Sequence, residues 1–349
     1  MRIIFFGTPN FAVPSLRLLA ASHEVVLVVT RPDRKAGRKN VLQSPPVAIA
    51  AKDMNLDLFQ PRNPNQILAK ETIAEYEPDL IVVVAYGRLI GNELSACASY
   101  GAVNAHPSLL PGFRGASPIQ AAIASGVRQT GVTLIRLVER LDAGPIIASR
   151  ELSLTTDETA IEASESLSLL AAELLMETLP NWVAGVIREY PQDESFATMT
   201  RPLERRDGEL DLRRPAIELY DRWRAFQPWP GIQVQAGEVR CKLLDLAANP
   251  RNLSIGSTMA CDEVLLIGCG EGSIAVRVIQ PEGRDRMDVQ DFVRGYRSEE
   301  HTSELQSLVN LVCRLLLEKK NNLIHTFEPA RHQITVLQPL SAASEIRTA

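Results

Sequence analysis

Between Asp79 and Ala85 the chain reads D-L-I-V-V-V-A, a continuous apolar and mostly β-branched run. A strand of this kind has no polar side to turn toward water, so it must be covered on both faces, which parallel sheets with helical crossovers provide. The opening agrees with that demand. Arg2 to Phe6 is a short apolar strand, Gly7 to Asn10 (G-T-P-N) a turn into a helix through Leu19, and Glu24 to Val29 a second strand. Two strands separated by a helix imply a parallel sheet with right-handed crossovers, so an α/β, Rossmann-like, mostly parallel sheet is expected. The first turn lacks G-x-G-x-x-G, whose glycines admit a pyrophosphate to the backbone, and this argues against a dinucleotide.

The pattern continues with helices expected at Val47 to Met54 and Gln66 to Tyr76, a strand at Gly101 to Asn104 and a helix at Ser117 to Ala124. A strand over Val132 to Val138 and another over Ile146 to Leu152 follow. Thr155 to Glu158 offers a T-x-x-E capping pattern before a long helix to about Leu179. Pro180, Pro191 and the polar run Gln192 to Ser195 then read as a linker. We therefore expect a first domain over residues 1–184, a linker over 185–206 and a second domain over 207–296. The second should hold a helix at Arg213 to Phe226, a stiff turn Q-P-W-P-G at 227–231, and short strands at Gln233 to Leu246, Val264 to Ile267 and Ser273 to Ile279. Such spacing suggests a small antiparallel barrel or sandwich.

With 349 residues there is length for two cores. Net charge is −5, so any nucleic-acid partner must be met by a local basic patch. Thr30 to Pro46 supplies one: it has no hydrophobic periodicity and carries Arg31, Arg34, Lys35, Arg38 and Lys39 against the single acid Asp33. No run approaches the 18 or more apolar residues of a membrane span, and the chain enters a strand directly after Arg2, without a signal-peptide pattern, so the cytoplasm is expected. The cysteines (Cys97, Cys241, Cys261, Cys269, Cys313) are odd in number and form no C-x-x-C pair, and they are expected reduced, with no metal site.

From Arg297 the character changes. The stretch R-S-E-E-H-T-S-E-L-Q-S (297–307) looks like the in-frame translation of a common sequencing-library adapter, so residues 297–349 are expected to be a non-native tail on a second domain cut short. His301, His325 and His332 fall in it and are recruited into no site.

The chemistry concentrates in V-N-A-H-P-S-L-L-P-G-F-R-G (103–115) and in Leu141-Asp142-Ala143-Gly144. Asn104 and His106 stand two apart in a strand, so they share a side, and a neighbouring strand can bring Asp142 to the same strand end. An amide and an imidazolium can stabilise the oxyanion formed when an acyl group passes to an amine. A carboxylate beside the imidazole should raise its pKa and fix its orientation. Ser108 and Ser117 lack the G-x-S-x-G setting of a nucleophile, so direct attack by the substrate amine is the simpler scheme.

The combination V-N-A-H-P-S-L-L-P-x-x-R-G, T-G-V-T-L and L-D-A-G-P-I-I resembles the formyltransferases that use 10-formyltetrahydrofolate. Within them, I-I-F-F-G-T-P-N-F-A-V-P, R-P-D-R-K-A-G-R-K, S-P-P-V, V-V-V-A-Y-G and R-A-F-Q-P-W-P-G make residues 1 to about 296 similar to the methionyl-tRNA formyltransferases. The resemblance implies a formyltransferase domain followed by an OB-like β-barrel. It implies Asn104, His106 and Asp142 as the catalytic set, and Ser108, Leu109, Leu110, Pro111, Tyr86 and Gly87 around the folate. Arg31, Arg34, Lys35, Arg38 and Lys39, with Thr8, Asn10 and Phe11, would meet the tRNA.

It further implies transfer of a formyl group from 10-formyltetrahydrofolate, as co-substrate and without a metal, to the α-amine of methionyl initiator tRNA in translation initiation. A monomer is expected, though no residue of the sequence carries that expectation. Gly112-Phe113 and Pro145 depart from the residues usual in those enzymes. A formyltransferase acting on a sugar-nucleotide amine and a formyl-folate hydrolase are the alternatives, and the basic loop, which neither needs, argues against both.

Overall fold

The computed structural model describes residues 1–36, 41–236 and 239–298. Seven strands build the first sheet: β1 (Arg2–Gly7), β2 (Glu24–Val29), β3 (Leu58–Phe59), β4 (Leu80–Val84), β5 (Ala102–His106), β6 (Gln129–Arg136) and β7 (Ile146–Ser153). They lie in the order β7-β6-β5-β4-β1-β2-β3. The pairs among β1 to β5 are parallel, whereas β5 with β6 and β6 with β7 are antiparallel. Strand order reverses between β1 and β4, so the chain segments leaving their carboxyl ends diverge and open a crevice. Every residue of β4 is buried, as its unbroken apolar run requires.

Six helices serve this sheet: α1 (Val13–Ser22), α2 (Pro46–Asp53), α3 (Ile67–Ala74), the short α4 (Asn92–Ser95), α5 (Pro118–Ala124) and α6 (Ala160–Val183). One face buries Ile3, Phe5, Val82 and Val103 with Leu16 of α1 and Leu167 and Leu174 of α6. The other buries Ile4, Phe6, Ile81 and Val83 with Ile73 of α3 and Leu94 of α4. The capping pattern of α6 lies four residues later than expected: Thr159 accepts from the Glu162 N–H, and the Glu162 carboxylate accepts from the Thr159 N–H at 2.8 Å. The helix also runs past Leu179, carrying Pro180 inside it.

The basic loop is not without structure, since Arg34–Ala36 and Val41–Gln43 pair as an antiparallel ribbon. Arg38 and Lys39 fall outside the described residues.

The second part opens with α7 (Ala216–Ala225), whose Glu218 in the first turn and Arg222 and Arg224 in the last complement the helix dipole. Its sheet is antiparallel throughout, in the order β8 (Ile232–Ala236), β9 (Val239–Asn249), β12 (Ser273–Pro281), β11 (Val264–Gly268), β10 (Thr258–Cys261), with β13 (Met287–Asp288) on β12. The single strand expected from Gln233 to Leu246 is thus divided between β8 and β9. The final helix α8 (Val289–Ser298) takes in Arg297; the rest of the expected tail, 299–349, lies outside the described residues.

Arg224, 1% exposed, joins the two parts. It donates to Asp221 at 2.8 Å and to the Glu158 carbonyl, ahead of α6, at 2.9 Å.

Candidate active site

Alternation along β5 sends Val103 and Ala105 into the core shared with α1 and α6 and leaves Asn104 and His106 on the opposite side. His106 is 4% exposed. Its Nε2 lies 3.0 Å from the carbonyl of Phe113, which as an acceptor requires the proton on that nitrogen and leaves Nδ1 for the site. The turn after β5 is held internally. Ser108 donates its hydroxyl to the Gly112 carbonyl at 2.7 Å, and buried Thr133 of β6 donates to the Ser108 carbonyl while accepting from the Leu110 N–H. Ser108 is fully buried and so committed to the turn, and Leu110 packs on Ile135 and Ile146. Leu109 and Pro111 are partly exposed on the same turn, and the Leu110–Pro111 bond is cis.

Asp142 arrives by a different route from the one expected. Because β6 is antiparallel to β5, its last residue Arg136 lies beside Val103, at the opening end of β5. The segment from Leu137 to Pro145 therefore folds back to reach Asn104 and His106. Gly144 permits this return: a Cβ there would stand 1.7 Å from the Arg136 carbonyl oxygen. Asp142 itself takes a left-handed conformation with φ of 49°. Its Oδ2 accepts from the Gly115 N–H at 2.9 Å and lies 3.6 Å from His106 Nδ1, while its Oδ1 lies 3.5 Å from Asn104 Nδ2. The three residues are thus brought together in a largely water-excluded corner.

Burial holds the His106 imidazole below its ordinary pKa, outweighing the raising influence of Asp142 and of the Phe113 carbonyl. This reverses the expected rise. Burial thus favours the uncharged ring, whose Nδ1 faces Asp142.

Beside this corner, at the reversal between β1 and β4, lies a cleft of about 890 Å³. Thr8, Asn10, Phe11, Arg31 and Arg34 line it, together with Pro107 and Ala116, which adjoin the His106 and Gly115 positions. Lys35 is exposed on the ribbon and is not among the lining residues. Thr8 donates its hydroxyl to the Tyr86 carbonyl at 2.9 Å and ties the two strand ends together. The Tyr86 ring is buried edge-on against Phe6, and burial pushes its hydroxyl up to about 12, so the side chain serves the core. Gly87 follows with φ of 78°, and a Cβ on it would stand 3.6 Å from Nη1 of Arg31.

Two polar residues that the sequence had not singled out complete the surroundings. Arg114, 1% exposed, donates to Gln192 at 2.7 and 3.0 Å and to Glu194 at 3.0 and 3.1 Å. Gln192 in turn donates to the carbonyls of Asp142 and Gly144. Met199 and Thr200 pair in parallel with Arg114 and Gly115, so a segment read as linker lies against the site. Prolines and a polar run are all that this stretch shows in sequence, and together they read as a linker. Among the described residues no cluster of metal-ligating side chains occurs, Cys97, Cys241, Cys261 and Cys269 are free, and no helix is long and apolar enough to cross a membrane.

The formyl transferase family matches residues 1–179, and its C-terminal domain matches residues 202–297. The chain belongs to this family.

A methionyl-tRNA formyltransferase from Methylococcus capsulatus is 40% identical over 299 residues, covering 85% of this chain and 97% of the relative. One from Listeria monocytogenes is 38% identical over 297 residues, covering 84% and 95%. Among solved structures, the sugar 3N-formyl transferase WlaRD, determined in the presence of dTDP and 5-N-formyl-THF, aligns with a TM-score of 0.62 at 14% identity, over 82% of this chain and 99% of that one. At that identity it bears on fold alone.

Proposed function

We propose that the protein transfers the formyl group of 10-formyltetrahydrofolate to the α-amine of methionyl initiator tRNA. The substrate follows from relatives of that activity matched over nearly their whole length. The observation that carries it to this chain is the arginine-bearing ribbon beside the cleft next to Asn104, His106 and Asp142, a cationic arm that a small acceptor would not need.

In this reaction the amine nitrogen attacks the formyl carbon, a C–N bond forms and the carbonyl oxygen becomes an oxyanion. Asn104 has two amide N–H groups; one points toward Asp142, and the other donates to that oxygen, an interaction worth roughly 3–4 kcal/mol of barrier. The uncharged Nδ1 of His106 takes a proton from the attacking amine, and Asp142 stabilises the imidazolium so formed. Breaking the bond to the folate nitrogen sends that proton back to the leaving amine, so charge and atoms balance without a covalent enzyme intermediate. Leu109, Pro111 and Gly87 are left to border the folate, while Arg31, Arg34, Lys35, Arg38 and Lys39, with Thr8, Asn10 and Phe11, take the acceptor end of the tRNA.

For the chain as a whole we retain a division into 1–184, 185–206 and 207–296, with residues from 297 onward foreign to the protein, which mass spectrometry of peptides spanning Tyr296 to Ser307 tests. The function is tested by presenting 10-formyltetrahydrofolate with either methionyl initiator tRNA or a dTDP-amino sugar. Formylation of the tRNA, weakening steeply as salt rises, is the expected result. Formylation of the sugar nucleotide alone would overturn the assignment of the acceptor.

A further inference from the structure

Asp142 sits in a backbone conformation that non-glycine residues seldom adopt, and such a conformation persists only where its surroundings fix it. The fixing hydrogen bonds converge on one side chain. The amide nitrogen of Gln192 donates to the carbonyl of Asp142 at 2.8 Å and to that of Gly144 at 2.7 Å, bracketing the turn with both of its hydrogens. An amide can be rotated by half a turn at little steric cost, which here would aim an oxygen at two carbonyls. Arg114 prevents the rotation, because its buried guanidinium donates twice to the Gln192 oxygen. The guanidinium is itself held by the Glu194 carboxylate, which also takes Arg140 from the Asp142 segment at 2.8 Å. Donation thus runs outward from Arg114, on one side to the Glu194 carboxylate and on the other through the Gln192 amide to the backbone that carries Asp142.

We propose that Gln192, oriented by Arg114, is a positioning residue for the reaction: it touches no substrate, and it sets the Asp142 carboxylate against the Gly115 N–H and His106 Nδ1. This inference rests on the formyl-transfer reading for its kinetic consequence but not for its geometric one.

The test pairs Q192M, which keeps the length of the side chain and removes its donors, with Q192E, which keeps an acceptor for Arg114 and turns an oxygen on the two carbonyls. Formyl transfer to methionyl initiator tRNA should lose between about 10-fold and 10²-fold in kcat in both variants, with KM for either substrate unchanged. On a D142N background Q192M should cost less than about twofold more, since its effect passes through Asp142. In parallel, hydrogen exchange at the Gly115 amide should speed up in Q192M, because its carboxylate partner is released. A loss that multiplies in full on D142N, or unchanged Gly115 exchange, would overturn the proposal. If the unaltered protein formylated no tRNA, the acceptor reading would fall, and the Gly115 amide would still decide whether Gln192 places Asp142.

Discussion

Gly115 and Asp142, from separate segments, are joined by a 2.9 Å hydrogen bond from the glycine N–H to Oδ2, the same oxygen that faces His106 Nδ1. The carboxylate is therefore held from behind while it faces the imidazole. D142N keeps the shape and removes the charge that stabilises a protonated ring. Turnover should fall by about 10²-fold or more with tRNA affinity unchanged; single-turnover kinetics and filter binding measure the two separately, and near-normal turnover would take Asp142 out of the mechanism.

The lowered pKa of His106 gives the pH profile a definite shape. Below that pKa the ring is protonated and Nδ1 cannot accept, so activity falls toward acid. Above it the ring is ready, and the remaining rise in kcat/KM belongs to the substrate amine, whose pKa is about 7.7–8. The profile should therefore climb through that range and then level off. A fall in activity as pH rises through the pKa of the ring itself would show instead that the imidazolium is the working form.

Gly144 offers a stability test at the same turn. In G144A the new methyl would meet the Arg136 carbonyl, so the segment carrying Asp142 must shift. A loss of about 2 kcal/mol in urea unfolding is expected, together with a loss of turnover. G295A, at a glycine with nothing within 4 Å of the added carbon and no positive φ, should cost no stability and serves as the control without a clash.

Arg224 is the test for the junction. R224M keeps the apolar stem and leaves Asp221, whose carboxyl burial already pushes up, without the guanidinium. About 3 kcal/mol of stability should be lost. Thermal unfolding that stays normal would mean that Arg224 does not hold the two parts together.

The ribbon is tested by salt. Replacing Arg34 and Lys35 with glutamine should weaken tRNA binding and lower the dependence of log Kd on log salt by roughly one for each phosphate no longer neutralised. A slope unchanged from the parent protein would place the tRNA elsewhere.

What the sequence made legible depended on how local the cause was. The unbroken apolar run of β4 and the β1 to β2 pattern expose their own burial, so the parallel sheet could be read directly. Asn104 and His106 share a side because residues two apart in a strand must. The approach of Asp142 could not be read correctly, since it depends on β6 running antiparallel and on Gly144 lying against a carbonyl, neither of which leaves a periodic trace. The sign of the His106 shift was missed for the same reason: residue types announce a neighbouring carboxylate but not the loss of water. The Thr159 cap was a local feature misplaced by four residues, and the Arg34 ribbon, too short to show a period, was read as a loop, whereas the role of Gln192 was hidden, its partners lying some fifty positions away.

The strip from Glu189 to Thr200 falls between the stretches matched to the family's two parts, yet it grips the turn that carries Asp142. Modularity is therefore false at this seam. A hybrid enzyme spliced at residue 180 would inherit Asn104, His106 and Asp142, the residues proposed to handle the formyl group, and leave behind the segment that brackets the Asp142 turn. A graft should carry the donor sequence through Thr200, and recombination across this junction should succeed only where both strands of that pairing come from one parent.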